Sequence, residues 1–227
     1  SIRAFYVRAD FSHELFGIEW DGNVGVRYAG TRTRATGLQS YRAYSLNPST
    51  NARVETIVAN QIVTYENKYS DVLPSFNLSG WVIPDKLVAR IGWGKVMARP
   101  FIDKLTPTIS CIKGSGQSIY GGDGSADDCT AGNVNLEPFR ATNKDASVEW
   151  YPSRDSQLSL AFFRKDIRSY IQNDVTVGGV DVFGDGVLWD VKTSINSQGA
   201  VTKGWELAGR TALTMLPGLF SGLGLDA

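Results

Sequence analysis

Cys111 and Cys129 stand 18 residues apart, within Ser110-Cys111-Ile112-Lys113 and Asp127-Asp128-Cys129-Thr130. Two thiols at such a separation form either a disulfide or half of a metal site. The chain has one histidine and no third cysteine, so a zinc-type ligand set is not at hand. In an exported chain the pair reads as a disulfide that holds a loop in shape. Closing such a loop stabilises by about 3 kcal/mol in the chain-entropy account. Between the cysteines, Asp123-Gly124-Ser125-Ala126-Asp127-Asp128 offers oxygen ligands at alternate positions. A calcium loop also needs glycine at its sixth position and glutamate at its twelfth, and these are Asp128 and Val134. The stretch reads as a solvated acidic loop, and no metal or other cofactor is expected. His13 reads as a surface residue in a turn. No nucleophile elbow, zinc motif or Gly-rich phosphate loop is present, so no catalytic residues and no enzymatic activity are expected.

A second set of residues suits binding. Tyr41, Tyr44, Tyr120, Phe183 and Trp189 fall in polar connecting segments, interleaved with Asp123, Asp181, Asp185, Asn173 and Asn196. Sugars bind by stacking an apolar face on an aromatic ring while carboxylates and amides meet their hydroxyls. The same rings could instead pack the loops against one another.

These segments are held by runs that alternate apolar and polar residues, the signature of a strand with two unlike faces. Eight strands are predicted, at about 2–11, 22–34, 71–83, 87–99, 141–151, 157–172, 201–215 and 222–227. Val54–Tyr65 is also β-prone. Phe76, Leu78 and Val82 oppose Ser75, Asn77 and Ser79, and Ala146, Val148 and Trp150 oppose Asp145, Ser147 and Glu149. Pro84-Asp85-Lys86 reads as a tight turn. The connections alternate in length: short near 12–21, 84–86, 152–156 and 216–221, long at 35–70, 100–140 and 173–200. In an antiparallel meander every second connection shares a rim, so long loops crowd one end and tight turns the other. That layout, with strands longer than the usual 5–6 residues, fits a transmembrane β-barrel with long extracellular loops and short periplasmic turns. Trp81, Trp150 and Tyr151 beside the turns, and Trp205 about one membrane thickness away, would form its two aromatic girdles. Charges on the inner face, Arg27, Arg90, Glu149, Glu206 and Arg210, would line a polar lumen, because lipid-facing charges cost about 2–4 kcal/mol each at the midplane.

Bulk properties agree. The formal net charge is zero over 227 residues, which disfavours a nucleic-acid partner. No apolar run is long enough for a membrane-crossing helix. The opening Ser1-Ile2-Arg3-Ala4-Phe5 already reads as a strand, as in the interior of a longer chain. Two other architectures carry the same alternation: a soluble lectin-like β-sandwich, with strands of 5–7 residues, and a complete eight-stranded small barrel, with first and last strands paired.

Five stretches, in order, resemble the TonB-dependent outer-membrane receptors. They are Tyr69-Ser70-Asp71-Val72-Leu73-Pro74-Ser75-Phe76-Asn77-Leu78; Leu87-Val88-Ala89-Arg90 running to Met97-Ala98-Arg99-Pro100; Gly132-Asn133-Val134-Asn135-Leu136-Glu137-Pro138-Phe139-Arg140-Ala141-Thr142-Asn143 with Ser147-Val148-Glu149-Trp150-Tyr151; Phe162-Phe163-Arg164-Lys165-Asp166-Ile167; and Gly204-Trp205-Glu206-Leu207. The resemblance covers about 22–225, and Val134 departs from the proline usual there. The wording around Pro138 is similar to a Xanthomonas- and Caulobacter-type branch often implicated in taking up plant or polymer-derived sugars. Other members carry ferric siderophores or cobalamin. The resemblance implies a 22-stranded barrel in the outer membrane of a Gram-negative cell, of which residues 1–227 would be about eight strands. It implies a plug domain in the lumen and a TonB box, neither visible in this sequence. The expected partners are that plug, the TonB complex, outer-membrane lipid and a small-molecule or oligosaccharide substrate. Carbohydrate is favoured over an often anionic siderophore, which would want Arg and Lys in the loops. Alone, with two bare sheet edges, the 227 residues are expected to be poorly stable.

Overall fold

The computed structural model describes residues 1–50, 53–113, 127–182, 184, 188–213 and 223–227. These form β1 (Ile2–Leu15), β2 (Ile18–Leu46), β3 (Arg53–Ile83), β4 (Leu87–Ala98), a 3-10 turn (Ile102–Leu105), β5 (Ile109–Lys113), β6 (Asp127–Ala131), β7 (Phe139–Ser153), β8 (Ser156–Asp181), β9 (Leu188–Ala212) and β10 (Gly224–Asp226). All ten strands join one sheet in the order β1-β2-β3-β4-β7-β8-β9-β6-β5, with β10 on β9. The long strands pair antiparallel with their sequence neighbours, and β4 pairs antiparallel with β7. No second sheet lies against this one among the described residues, so the sandwich is not the architecture.

The tight turns form where turn chemistry is strong. Ile83–Leu87 reverses through Asp85 at φ 59°, and the Lys86 amide donates to the Ile83 carbonyl at 3.0 Å. The first turn is tighter than the sequence suggested. β1 and β2 are joined by Phe16 and Gly17 alone, at φ 57° and 74°, the positive pair that suits the twist of a two-residue hairpin. His13 therefore sits in β1 opposite Trp20 rather than in a turn.

The larger difference is at the other rim. Two of the three long connections are paired strand for most of their length. β2 and β3 stay in register from Trp20↔Gly80 to Leu46↔Arg53, with one bulge at Tyr41/Arg42. β8 and β9 pair up to Asp181↔Leu188. Tyr41, Tyr44, Asn173, Asp181, Trp189 and Asn196 are thus strand positions, not loop positions. Among the described residues of the third, 100–113 and 127–140 depart from the meander, with the 3-10 turn and the paired strands β5 and β6.

That pair changes the topology. β5 pairs parallel with Gln39–Ala43 of β2, and Asp128–Thr130 of β6 pair parallel with Asp190–Lys192 of β9. At the loop end the ring β2-β3-β4-β7-β8-β9-β6-β5 returns to β2. Among the described residues, at the turn end β1 pairs only with β2, and β10 only with β9. Among them the first and last strands are not bonded to each other, so the described strands do not form a complete small barrel of the expected kind.

Candidate functional site: the inner face and the mouth

Residues directly opposite on antiparallel strands share a face, so the register sorts the sheet into rows. One row runs Ser12, Asp21, Ser79, Arg90, Ser147, Ala161, Glu206 from β1 to β9. The next on that face runs Asp10, Asn23, Asn77, Gly92, Asp145, Phe163, Gly204. Between them, on the other face, lies Phe11, Gly22, Leu78, Ile91, Ala146, Phe162, Trp205. His13, Trp20, Gly80, Ala89, Val148, Leu160 and Leu207 form the row beside it. The polar rows line an open trough of about 940 Å³, which makes theirs the inner face.

Arg27, Arg90, Glu149, Glu206 and Arg210 all fall on this inner face by register. They interact locally. Arg90 Nε donates to Glu149 Oε1 at 3.1 Å, Tyr151 donates its hydroxyl to the same carboxylate at 2.7 Å, and Asn77 donates to Asn23 at 3.0 Å. The Trp81 and Tyr151 rings lie 6.2 Å apart, on the inner face. They are not part of an outer girdle. Trp150, opposite Leu87 and Leu158, faces outward. The outer face carries large exposed apolar side chains, among them Leu207 at 71% and Trp205 at 70%. The Trp205 and Phe162 rings pack there at 4.8 Å. Such a continuous exposed patch marks a lipid or protein contact surface.

The mouth is partly filled from inside by residues 99–113 and 127–140. Arg99 Nε donates to Thr31 Oγ1 at 3.0 Å. Pro107 and Thr108 lie so close to Gly37 that a Cβ there would meet Thr108 Oγ1 at 2.6 Å. Asn67 donates to the Val134 carbonyl at 3.0 Å, and Asn133 to the Ser194 carbonyl at 3.0 Å. The Asn196 amide pairs reciprocally with the Glu137 backbone, at 2.9 and 3.0 Å. Arg140 bonds both Asp71 and Glu137, the latter at 2.7 Å. Leu136 is fully buried. The Gly132–Asn143 stretch thus ties β3, on one side of the mouth, to β9 on the other. Asn67, Asp71, Ser194 and Thr31 complete this network, and none of them stands out in the sequence as a functional residue. The available signal was the run of Asn, Glu and Arg in 133–140, whose buried partners are remote in the chain.

Cys111 and Cys129 form a disulfide. With Trp189 and Val191 they make a small buried cluster, with Ile109, Ala131, Val180 and Val182 packed against it. Trp189 is 1% exposed and offers no ring face to solvent. Asp181 is exposed, and its carboxylate accepts from the Gly184 amide at 2.7 Å. Tyr120, Asp123, Phe183 and Asp185 lie outside the described residues. So do the side chains of Tyr41 and Tyr44. Among the described residues no group of His, Cys, Asp and Glu is arranged to hold a metal ion, and no helix is long and apolar enough to cross a membrane. Beyond the mouth, Arg32 pairs with Glu66 at 2.8 Å. This bond, more than any other influence, holds the Glu66 carboxyl below the usual carboxylate range.

A polar inner face, an apolar outer face and strands of up to 31 residues define an outer-membrane β-barrel wall. The sequence model of the family described as TonB dependent receptor-like, beta-barrel matches residues 3–227, and the chain belongs to that family. Among solved structures it is similar to a double mutant of the Serratia marcescens hemophore receptor HasR in complex with HasA and heme, at 12% identity and TM-score 0.52, covering 92% of this chain and 32% of that one. It is also similar to a mutant ferric enterobactin receptor PfeA from Pseudomonas aeruginosa in complex with enterobactin, at 17% identity and TM-score 0.51, covering 93% and 34%. The siderophore receptor PirA from Acinetobacter baumannii matches at 15% identity and TM-score 0.47, covering 92% and 34%. The chain spans about a third of the length of these structures. No curated protein matches it.

Proposed function

We propose that this chain is part of the wall of a TonB-dependent importer in the outer membrane. The inner polar rows would rest against a plug domain, the paired extensions and the loop end would capture substrate, and TonB would supply the energy for release past the plug. No covalent chemistry is done on the cargo. The observation that carries this reading is the row-by-row alternation around the sheet. In the rows nearest the tight turns, outward side chains are mostly apolar and inward ones mostly hydrogen-bonding, as a wet passage through lipid requires.

Carbohydrate is the favoured cargo. The trough is lined by four carboxylates (Asp10, Asp21, Asp145, Glu206) and two guanidinium groups (Arg8, Arg90). That excess of negative charge suits a neutral polyol better than an anionic chelate. Tyr41, Tyr44, Tyr120, Asp123, Asp181, Phe183 and Asp185 remain the proposed contacts, and burial removes Trp189 from the set. The runner-up is a ferric siderophore or cobalamin, or heme; enterobactin and heme are the molecules named for the similar structures. Growth of a strain lacking the gene decides between them. Loss of growth on a particular oligosaccharide supports the first, and loss confined to chelated iron, heme or cobalamin overturns it.

A further inference from the structure

On the outer face, the row above Ile91, Ala146, Phe162 and Trp205 changes character. It reads Trp93, Lys144, Arg164, Lys203 across β4, β7, β8 and β9. Three cations therefore stand directly opposite one another on adjacent strands, with Lys95 one step higher on the same face as Trp93. Like charges so placed repel. One carboxylate answers them: Asp166 lies 2.8 Å from Arg164 and 3.6 Å from Lys144. Among the described residues Lys95 and Lys203 make no ion pair, and four positive charges face one negative.

Their height is informative. Arg164 is nine residues from the turn residue Asp155, Lys144 is nine from Ser153, and Lys95 is ten from Asp85. At about 3.3 Å per residue and a tilt of 35–45°, that is roughly 21–27 Å, the height of the apolar band of such a barrel. The cations therefore stand at the upper edge of the hydrocarbon, directly above apolar side chains that take acyl tails.

We propose that Lys144, Arg164, Lys203 and Lys95 form a binding surface for a phosphorylated lipid headgroup of the outer leaflet, whose acyl chains lie along Phe162, Trp205 and Leu207. The phosphates supply the missing counter-charge, and the row spacing of about 4.8 Å between strands lets one bridging phosphate meet two cations.

The test uses the full-length receptor that carries this chain, purified in detergent. Three probes are titrated against it: a diphosphorylated glucosamine lipid, the same lipid after phosphatase treatment, and inorganic phosphate. Binding is read by native mass spectrometry. The intact lipid is expected to bind, the dephosphorylated lipid much more weakly, and free phosphate not at all. The triple variant K144Q/R164Q/K203Q should bind the intact lipid about a hundredfold more weakly, from about fivefold per cation. The charge-preserving K144R/K203R should bind normally, and so should K192Q, far from the row. Heat-modifiable gel mobility reports that each variant is folded. Equal binding by the triple variant, or equal binding of the two lipids, overturns the proposal. So does binding of free phosphate alone. Substrate uptake is untouched by these outcomes, so the cargo assignment stands or falls separately.

Discussion

Leu160 and its neighbour Ser159 give the most direct test of which face meets lipid. Leu160 lies in the outer row between Val148 and Leu207, and Ser159 lies between Glu149 and Ala208 on the inner face. Leu160 is five residues from the turn residue Asp155. At about 3.3 Å per residue and a 40° tilt this places it about 13 Å up, the middle of a band about 25 Å tall. An arginine on the lipid face at that depth costs about 2–4 kcal/mol, a shift of roughly 30- to 1,000-fold in the folding equilibrium. Ser159→Arg loses only a long hydrogen bond to the Ala208 carbonyl, 3.4 Å, and gains water and the Glu149 carboxylate. Its expected cost is about 0.5 kcal/mol. The assay is urea unfolding of the full-length receptor refolded into lipid vesicles, followed by tryptophan fluorescence. Leu160→Arg should lower the midpoint sharply while Ser159→Arg leaves it almost unmoved. If the two variants unfold alike, or Ser159→Arg is the worse, the outer face is not in lipid and the membrane reading fails.

Three further outcomes follow from the mouth and the strands beyond it. Replacing Cys111 and Cys129 by serine removes a crosslink worth about 3 kcal/mol from the cluster around Trp189. Limited proteolysis should then cleave at the loop end of the otherwise folded barrel, and unchanged resistance would show that the disulfide constrains nothing. Gly37→Ala puts a methyl within 2.6 Å of Thr108 Oγ1 and 2.8 Å of the Thr108 amide nitrogen, so the inward segment must shift. Hydrogen exchange should rise at residues 106–109 and not at the turn end. The Arg32–Glu66 pair sets a pH dependence. Because the folded carboxyl is held below its ordinary value of 4.5, the bond contributes fully above that value and is lost as pH falls through the lower folded one. Hydrogen exchange in the upper β2–β3 hairpin should accelerate only below about pH 4.5, and Glu66→Gln should abolish the step.

How much was legible in the sequence depended on the contrast between faces. In the lower part of the sheet, up to about the Trp93 row, lipid outside and water inside demand unlike residues, and alternation reports both strand and face. Beyond Thr31 in β2 and Tyr69 in β3 both faces are wet and the contrast vanishes, so 35–70 reads as loop. The pairing there is held instead by polar contacts between strands: Thr36 with Thr64 at 2.8 Å, and Gln39 with Gln61 at 2.9 Å. Such pairs stabilise a ladder without leaving a periodic pattern. The β5–β6 pair was hidden for another reason. Five-residue strands that pair parallel with β2 and β9, about 70 and 60 residues away, have no local signature. Cys111 and Cys129 were legible as a pair from number alone. That the bond would bury Trp189 was not, because an aromatic in a polar segment looks the same whether it binds a sugar or packs on sulfur.

The two rims answer the edge problem differently, and the difference follows from the solvent. Above Thr31, β2 outruns β1, whose pairing ends at Ile2↔Thr31, and β5 takes up the exposed edge from Gln39. On the other side β6 takes up Asp190–Lys192 of β9, while β10 covers Arg210–Ala212. Edges left bare at the mouth can bond to water, so a partial cap of five-residue strands suffices there. β1 has no such recourse. Its fourteen residues are all exposed, one side of its backbone is unpaired among the described residues, and much of its length would lie at hydrocarbon depth, where each unsatisfied group costs several kcal/mol. When embedded, β1 must therefore be hydrogen-bonded on its free side by another strand. A ring drawn shut at the mouth by β5 and β6 still stands open along β1, and lipid does not tolerate an open wall.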